Sequence, residues 1–250
     1  MCKWIIVLCS LSMMGCASWK QDKEKGELYL RMGNAFIEEN NYPNAVAALL
    51  QAQKYDPENP MIQNALGQVY FLRERYDLAE QQFRKAVSLQ STYSDARNNL
   101  ARTLIEEGKY AAAEKELSIV LNDLTYGGID KAYTNLGLAK FNQKQWAASQ
   151  EAFLKVLKTH SDDCPANSYY GRAFFEQKNY AQAAEALDRA IGFCQKNLYD
   201  EPHFYSALAY YRLGDKSKSI ARFEEILRYY PEGKYREKSK GMLDLIRKGH

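Results

Sequence analysis

The chain has 250 residues, with 34 Lys/Arg against 31 Asp/Glu and a formal net charge of +3. So small an excess lacks the basic footprint of a nucleic-acid-binding surface. With only 14 Gly and 6 Pro among abundant Ala, Leu, Lys, Glu and Gln, the composition predicts an all-α protein, and no apolar run after residue 16 reaches the roughly 20 residues that cross a bilayer.

The first element is an address. Met1-Cys2-Lys3 is followed by an apolar run from Trp4 to Met14, broken only by Ser10 and Ser12, and then by Gly15-Cys16-Ala17-Ser18. A positive start, a run of about a dozen apolar residues and a small residue before the cut make a secretory signal over residues 1–15. A Cys placed directly after Gly15 resembles a bacterial lipoprotein signal. The resemblance implies that Cys16 is acylated and becomes the mature N-terminus, although Met13 and Met14 depart from the usual Leu and small residue. An ordinary cleaved signal and an uncleaved anchor are the competing readings. Ala17 is not the Asp that resembles an inner-membrane retention signal, so the periplasmic face of the outer membrane is the expected location. Each acyl chain contributes about 0.8 kcal/mol per buried methylene, and stable anchoring takes more than one chain. Residues 16–25 then read as a short lipidated, polar tether.

From residue 26 to 231 the chain is periodic. Met32-Gly33, Phe36, Ala45, Leu49 and Ala52 return 34 residues later as Leu66-Gly67, Tyr70, Ala79, Phe83 and Ala86. Leu100-Ala101, Ala113 and Leu117 follow at the same interval. After a two-residue insertion near Thr125–Ile129 come Leu136-Gly137, Ser149 and Phe153, then Tyr170-Gly171, Ala183 and Leu187. A second two-residue insertion precedes Ser206-Ala207, Ser219 and Phe223. This resembles the tetratricopeptide pattern, six times over: approximately 26–59, 60–93, 94–127, 130–163, 164–197 and 200–233. The third, fourth and sixth copies are degenerate; Lys140 stands where an aromatic is expected. The small residues of the two helices let them approach closely, and the large ones fill the space between hairpins. One hairpin cannot bury its own apolar face, so neighbours must stack. The expected fold is a right-handed superhelix of about six helical hairpins. Pro57, Pro60 and Pro231 are expected to end helices, and Tyr235 to Lys248, within 234–250, reads as a C-terminal capping helix.

Sites for chemistry are missing from the pattern. His160, His203 and His250 have no partner at zinc-ligand spacing, and there is no phosphate-cradling glycine loop or nucleophile elbow. Asp162-Asp163 reads as a helix start and His203 as a packed residue. The chain is therefore expected to be no enzyme, with no metal, cofactor or small-molecule substrate beyond the covalent lipid. Cys164 and Cys194 fall at the first residue of the fifth hairpin's first helix and at the end of its second, side by side in an antiparallel hairpin. Outside the cytoplasm two such thiols usually pair; two separate thiols is the other reading.

In this architecture the first helix of each hairpin lines the concave face. Repeat phase then nominates three rows. Ile37, Phe71, Ile105, Phe141, Phe175 and Tyr211 form an apolar ladder. Asn34, Gln68, Arg102, Leu138, Arg172 and Leu208 lie about a turn earlier, and Leu30, Asn64, Asn98, Thr134, Ser168 and Phe204 earlier still. Amide and guanidinium groups suit a peptide backbone, and apolar rungs accept its side chains. The same residues can instead pack between neighbouring first helices. Residues 212–250, with 11 Lys/Arg against 6 Asp/Glu, read as a solvated last repeat and tail or as a surface for an acidic partner or anionic head groups.

The Gly15-Cys16 signal, six tetratricopeptide-like repeats and a short final helix together resemble the type IV pilus pilotin family, over the whole chain. The resemblance implies an outer-membrane lipoprotein that binds pilus secretin subunits and promotes their multimerisation. Other envelope adaptors remain as alternatives: an accessory subunit of the outer-membrane β-barrel assembly machine, or a scaffold for cell-wall enzymes.

Overall fold

The computed structural model describes residues 3–194 and 199–248, with side chains from residue 19 onward. The Cys16 side chain, His250 and the last residues of the fifth repeat lie outside the described residues. Thirteen α-helices and no strand are found among the described residues, and no helix there is long and apolar enough to cross a membrane.

The chain divides into two units, residues 1–123 and 124–250. The first unit holds three hairpins: α1 (Lys3–Glu38) with α2 (Tyr42–Tyr55), α3 (Pro60–Leu72) with α4 (Tyr76–Leu89), and α5 (Ser94–Glu106) with α6 (Tyr110–Leu121). The second holds α7 (Ile129–Asn142) with α8 (Trp146–Thr159), α9 (Cys164–Glu176) with α10 (Tyr180–Cys194), and α11 (Glu201–Arg212) with α12 (Lys216–Tyr229), closed by α13 (Arg236–Arg247).

The periodic small residues have the expected cause. A Cβ added to Gly33 would come within 2.5 Å of Leu49, and one on Gly67 within 2.6 Å of Phe83. The equivalent atoms on Gly137 and Gly171 would meet Phe153 at 2.7 Å and Leu187 at 2.8 Å. Leu49, Phe83, Leu117, Phe153, Leu187 and Phe223 are almost fully buried against those helices. Each such side chain contributes about 1.5–3 kcal/mol on burial.

The six turns inside hairpins are one structure repeated. Asn40, Glu74, Gly108, Lys144, Lys178 and Gly214 all have φ between 57° and 82°. In every copy the next residue's N–H reaches back to the carbonyl five residues earlier, as in Arg75 to Tyr70 (2.9 Å) and Asn179 to Phe174 (2.9 Å). The left-handed residue's own N–H bonds three back, as in Lys178 to Phe175 (2.9 Å). This paired arrangement satisfies the last carbonyls of the first helix and turns the chain into the second.

Two expectations are corrected here. Pro60 does not end α2; it is the first residue of α3, behind the N-cap Asn59, whose side chain accepts from Met61 N–H. Proline's fixed φ and missing N–H cost nothing at that position. Residues 17–25, expected as a short polar tether, lie within helix α1. Lys20, Gln21, Lys23, Glu24 and Lys25 are good helix formers with no Gly or Pro among them, and Lys25 pairs with Asp22 at 3.8 Å. At the other end, α13 buries Leu243 and Ile246 beside Phe223 and Ile226. Leu245 stays on its outer side, 40% exposed.

Candidate protein-binding groove

The first unit carries a groove of about 310 Å³, lined by Ile37, Gln68, Phe71, Leu72, Phe83, Asn99 and Arg102. Four of these, Ile37, Gln68, Phe71 and Arg102, belong to the rows nominated by repeat phase. They come from α1, α3 and α5, so three successive hairpins must stack for the groove to exist. Phe83, from α4, forms a buried floor. Phe71 is half-buried, its ring 5.3 Å from that of Tyr76. Arg102 holds Glu106 at 2.8 Å on its own helix and keeps 39% of its side-chain surface exposed.

Repeat phase does not single out Leu72, Phe83 or Asn99 for the concave face, yet all three line the groove. Asn99 donates to Asn64 Oδ1 at 3.0 Å. Asn64 is therefore corrected from a face residue to a buried support that aims its neighbour's amide. Leu30, Asn98 and Ile105 are likewise buried rather than presented to a partner: each is less than a tenth exposed. Leu30 packs with Leu49, Ile62 and Leu66 in the core between the first two hairpins. Asn34 is exposed but lies outside the groove lining.

The first-helix residues of the second unit are mostly consumed in packing. The Arg172 guanidinium sits 4.8 Å from the Phe141 ring and 4.5 Å from the Tyr205 ring. Its Nη1 binds the buried Glu201 at 2.8 Å. Such stacking is worth about 0.5–2 kcal/mol, so Arg172 and Phe141 are corrected from peptide contacts to internal ones. Trp146 and Tyr169 cover Phe141 further, at ring separations of 4.9 and 5.2 Å. Phe204 is buried as well, stacked 4.5 Å from Tyr235. Phe175 is half-buried against Tyr180 and Tyr205, each at 5.5 Å. Leu208 and Tyr211 pack on the cluster around Phe223, and Leu138 on that around Phe153. Thr134 Oγ1 donates to the Asp130 carbonyl at 2.9 Å, and Ser168 is fully buried.

Cys164 and Cys194 have their sulfurs at bonding distance, 2.17 Å, with Cα atoms 4.9 Å apart. Asp163 caps α9 by accepting from Ala166 N–H at 2.8 Å. His203 is buried, with Glu225 Oε2 at 3.0 Å from Nδ1 and the Tyr230 hydroxyl at 3.2 Å from Nε2. Burial holds its imidazole below the ordinary histidine range, against the pull of Glu225. Arg222 completes this network, bound to Glu225 and to Asp188. Among the described residues no group of three or more His, Cys, Asp and Glu gathers to hold a metal ion.

Tetratricopeptide-repeat family models match residues 30–94 and 134–197, with further matches at 70–124 and 203–233. The chain belongs to the tetratricopeptide-repeat family. Among curated proteins, this tetratricopeptide chain is 24% identical over 193 residues to the type IV pilus assembly protein PilF of Pseudomonas aeruginosa, covering 74% of this chain and 77% of PilF. Its fold is similar to the crystal structure of PilW, a widely conserved type IV pilus biogenesis factor. The TM-score is 0.79 at 17% identity, over 85% of this chain and 97% of that one. The solved P. aeruginosa PilF gives a TM-score of 0.74 at 20% identity, over 89% and 99%. Tetratricopeptide repeats mediate protein–protein contact, and scaffolds of this kind are generally non-enzymatic.

Proposed function

We propose that this protein is a lipid-anchored, non-catalytic scaffold of type IV pilus assembly. It sits at the periplasmic face of the outer membrane through acylated Cys16 and holds pilus secretin subunits while they multimerise. The groove of the first unit carries the reading. Ile37, Phe71 and Phe83 give it an apolar floor, and Gln68, Asn99 and Arg102 give it donors at the rim. About 310 Å³ is at the small end of ligand pockets. That is room for an apolar anchor side chain of a partner segment, with amide and guanidinium groups left for the partner's backbone. The similarity to PilF and PilW supports the pilus as the setting, and Gly15-Cys16 supports the anchor.

The test is crosslinked capture of the native protein from its own envelope, with mass spectrometry of what accompanies it. Recovery of a pilus secretin, lost in a Phe71→Gln variant, is the expected result. Recovery of the β-barrel assembly machine or of cell-wall enzymes without secretin would overturn the assignment and leave another envelope adaptor. Cys16→Ala should yield a folded protein that fails to place the secretin multimer; unchanged placement would overturn the lipid-dependent part.

A further inference from the structure

We infer that the end of the first unit nearest Cys16 is a membrane footing: Trp19, Tyr55 and Met61 rest in the head-group layer, and α1 rises from it as a pillar. The inference rests on the reading of Cys16 as the acylated N-terminus.

Three observations meet at that end. First, helix α1 is continuous from before Cys16 to Glu38, so Trp19 lies only about 4.5 Å along the axis from Cys16. Second, α1 is fixed to the body. A Cβ on Gly26 would stand 2.9 Å from Asp56 Cβ, and Tyr29 stacks on Tyr55 with ring centres 5.8 Å apart. Third, the residues gathered there have the chemistry of a bilayer interface. Trp19 is 62% exposed and Met61 53%. Both line one open cleft of about 620 Å³ with Tyr55, Pro57 and Pro60. Lys23 Nζ lies 4.1 Å over the Trp19 ring and Lys25 Nζ 5.2 Å over Tyr55.

Trp and Tyr favour the head-group level because one side of the ring system is apolar and the other polar, and lysine stems lie along apolar surface while the ammonium stays in water. Charge is not the attraction. Lys20, Lys23, Lys25 and Lys54 are matched by Asp22, Glu24, Asp56 and Glu58. The footing therefore needs no anionic lipid. Its consequence for the groove is geometric: Ile37 lies 18 residues beyond Trp19 on one helix, so an upright α1 holds the groove about 27 Å above the footing.

The experiment uses the mature lipoprotein in phosphatidylcholine vesicles; Trp4 leaves with the signal, and Trp146 is replaced by Phe so that Trp19 alone fluoresces. A parallel sample carries Met61→Cys labelled with an environment-sensitive probe; Cys16 is occupied by lipid and the other two cysteines by each other. Intact mass and vesicle flotation report the anchor independently. The expected result is that Trp19 and the Met61→Cys probe are both quenched by nitroxides at head-group depth. Both should be shielded from acrylamide relative to a soluble Cys16→Ser chain begun at residue 16, with no change on adding anionic lipid. A floating, acylated protein whose Trp19 is as open to acrylamide as in the soluble chain would overturn the footing and leave the anchor standing. Quenching of Trp19 without the Met61→Cys probe would overturn it too, since that is a flexible tether. Quenching that requires anionic lipid would overturn the charge-balanced contact. An unacylated N-terminus would overturn the anchor and the footing together.

Discussion

Lys178→Gly should stabilise the protein and Gly214→Ala should destabilise it, because both residues occupy the same position of the same turn. Lys178 has φ of 64° and Gly214 of 82°. A left-handed conformation costs a residue with a Cβ about 1–2 kcal/mol. Glycine avoids that cost but loses about 0.5–1 kcal/mol through its freer unfolded chain. The difference leaves Lys178→Gly about 0.5–1 kcal/mol more stable. Lys178 is exposed, so little packing is lost. In reverse, a Cβ on Gly214 meets nothing within 4 Å, and the cost is the backbone alone, again about 0.5–1 kcal/mol. Thermal unfolding followed by far-ultraviolet circular dichroism should give shifts of about 2–4 °C per kcal/mol, upward for the first variant and downward for the second. Lys144→Gly, with φ of 61° at Lys144, should repeat the gain and add to that of Lys178→Gly, since the two turns share no partner. A lower Tm for Lys178→Gly, or an unchanged one for Gly214→Ala, would refute the assignment of strain to these turns.

The site gives a paired prediction: Phe71→Gln should abolish partner capture with a stability loss of about 1 kcal/mol or less, whereas Phe175→Gln, packed on Tyr180 and Tyr205, should cost about 1–3 kcal/mol. Equal melting points for the two variants would contradict the division of roles. Reducing the Cys164–Cys194 pair, separated by 30 residues, should remove about 3–4 kcal/mol by loop-closure entropy. Two free thiols under denaturing, non-reducing conditions would refute the pairing. His203 should make stability fall in mild acid: its folded pKa is lowered from 6.5, so its contribution is complete above 6.5 and is lost as pH falls through the folded value. Arg222 opposes protonation, and Glu225 and Asp188 favour it. The check is a Tm series on either side of 6.5 for the native chain and His203→Gln, with parallel curves contradicting the assignment.

The fold was legible because helical repeats advertise their packing. Gly33, Gly67, Gly137 and Gly171 mark where helices touch, and the touching partner stands 16 residues later in each case. Such contacts are local in sequence, so the period alone carries them. The contacts that close the second unit are not of that kind. Arg172 reaches Phe141 and Tyr205 in the repeats on either side of its own, and Asp188 reaches Ser206, Tyr210 and Arg222. No motif announces an arginine between two rings. The helical state of residues 17–25 is hidden differently: their polarity reads as a tether, while helix propensity, the weaker cue, is what the structure follows.

The row Ile37, Phe71, Ile105, Phe141, Phe175 and Tyr211 shows what separates a repeat position from a site. All six sit at one phase of the first helix, yet Ile105 and Phe141 are buried and the others are half-exposed. Phase fixes which way a side chain leaves its helix. What it meets is decided one repeat further on. Beyond Phe71 the next first helix presents Asn99 and Arg102, and Arg102 turns along its own helix to Glu106, so a groove is left open. Beyond Phe141 the next first helix presents Tyr169 and Arg172, and Arg172 lies across the ring because Glu201 draws it inward. The two arginines occupy equivalent positions, each with a glutamate four residues on, but Arg172 also has the Glu201 carboxylate and the Tyr169 and Tyr205 rings beside it, and Asn99 stands at the position of Tyr169 in the repeat of Arg102. Glu201→Gln should therefore loosen Arg172 from Phe141 and raise the accessibility of that ring. A Phe141 environment unchanged in the Glu201→Gln variant, read by ring chemical shifts, would mean that the rings hold the guanidinium without help, and that the carboxylate does not decide which repeats are closed.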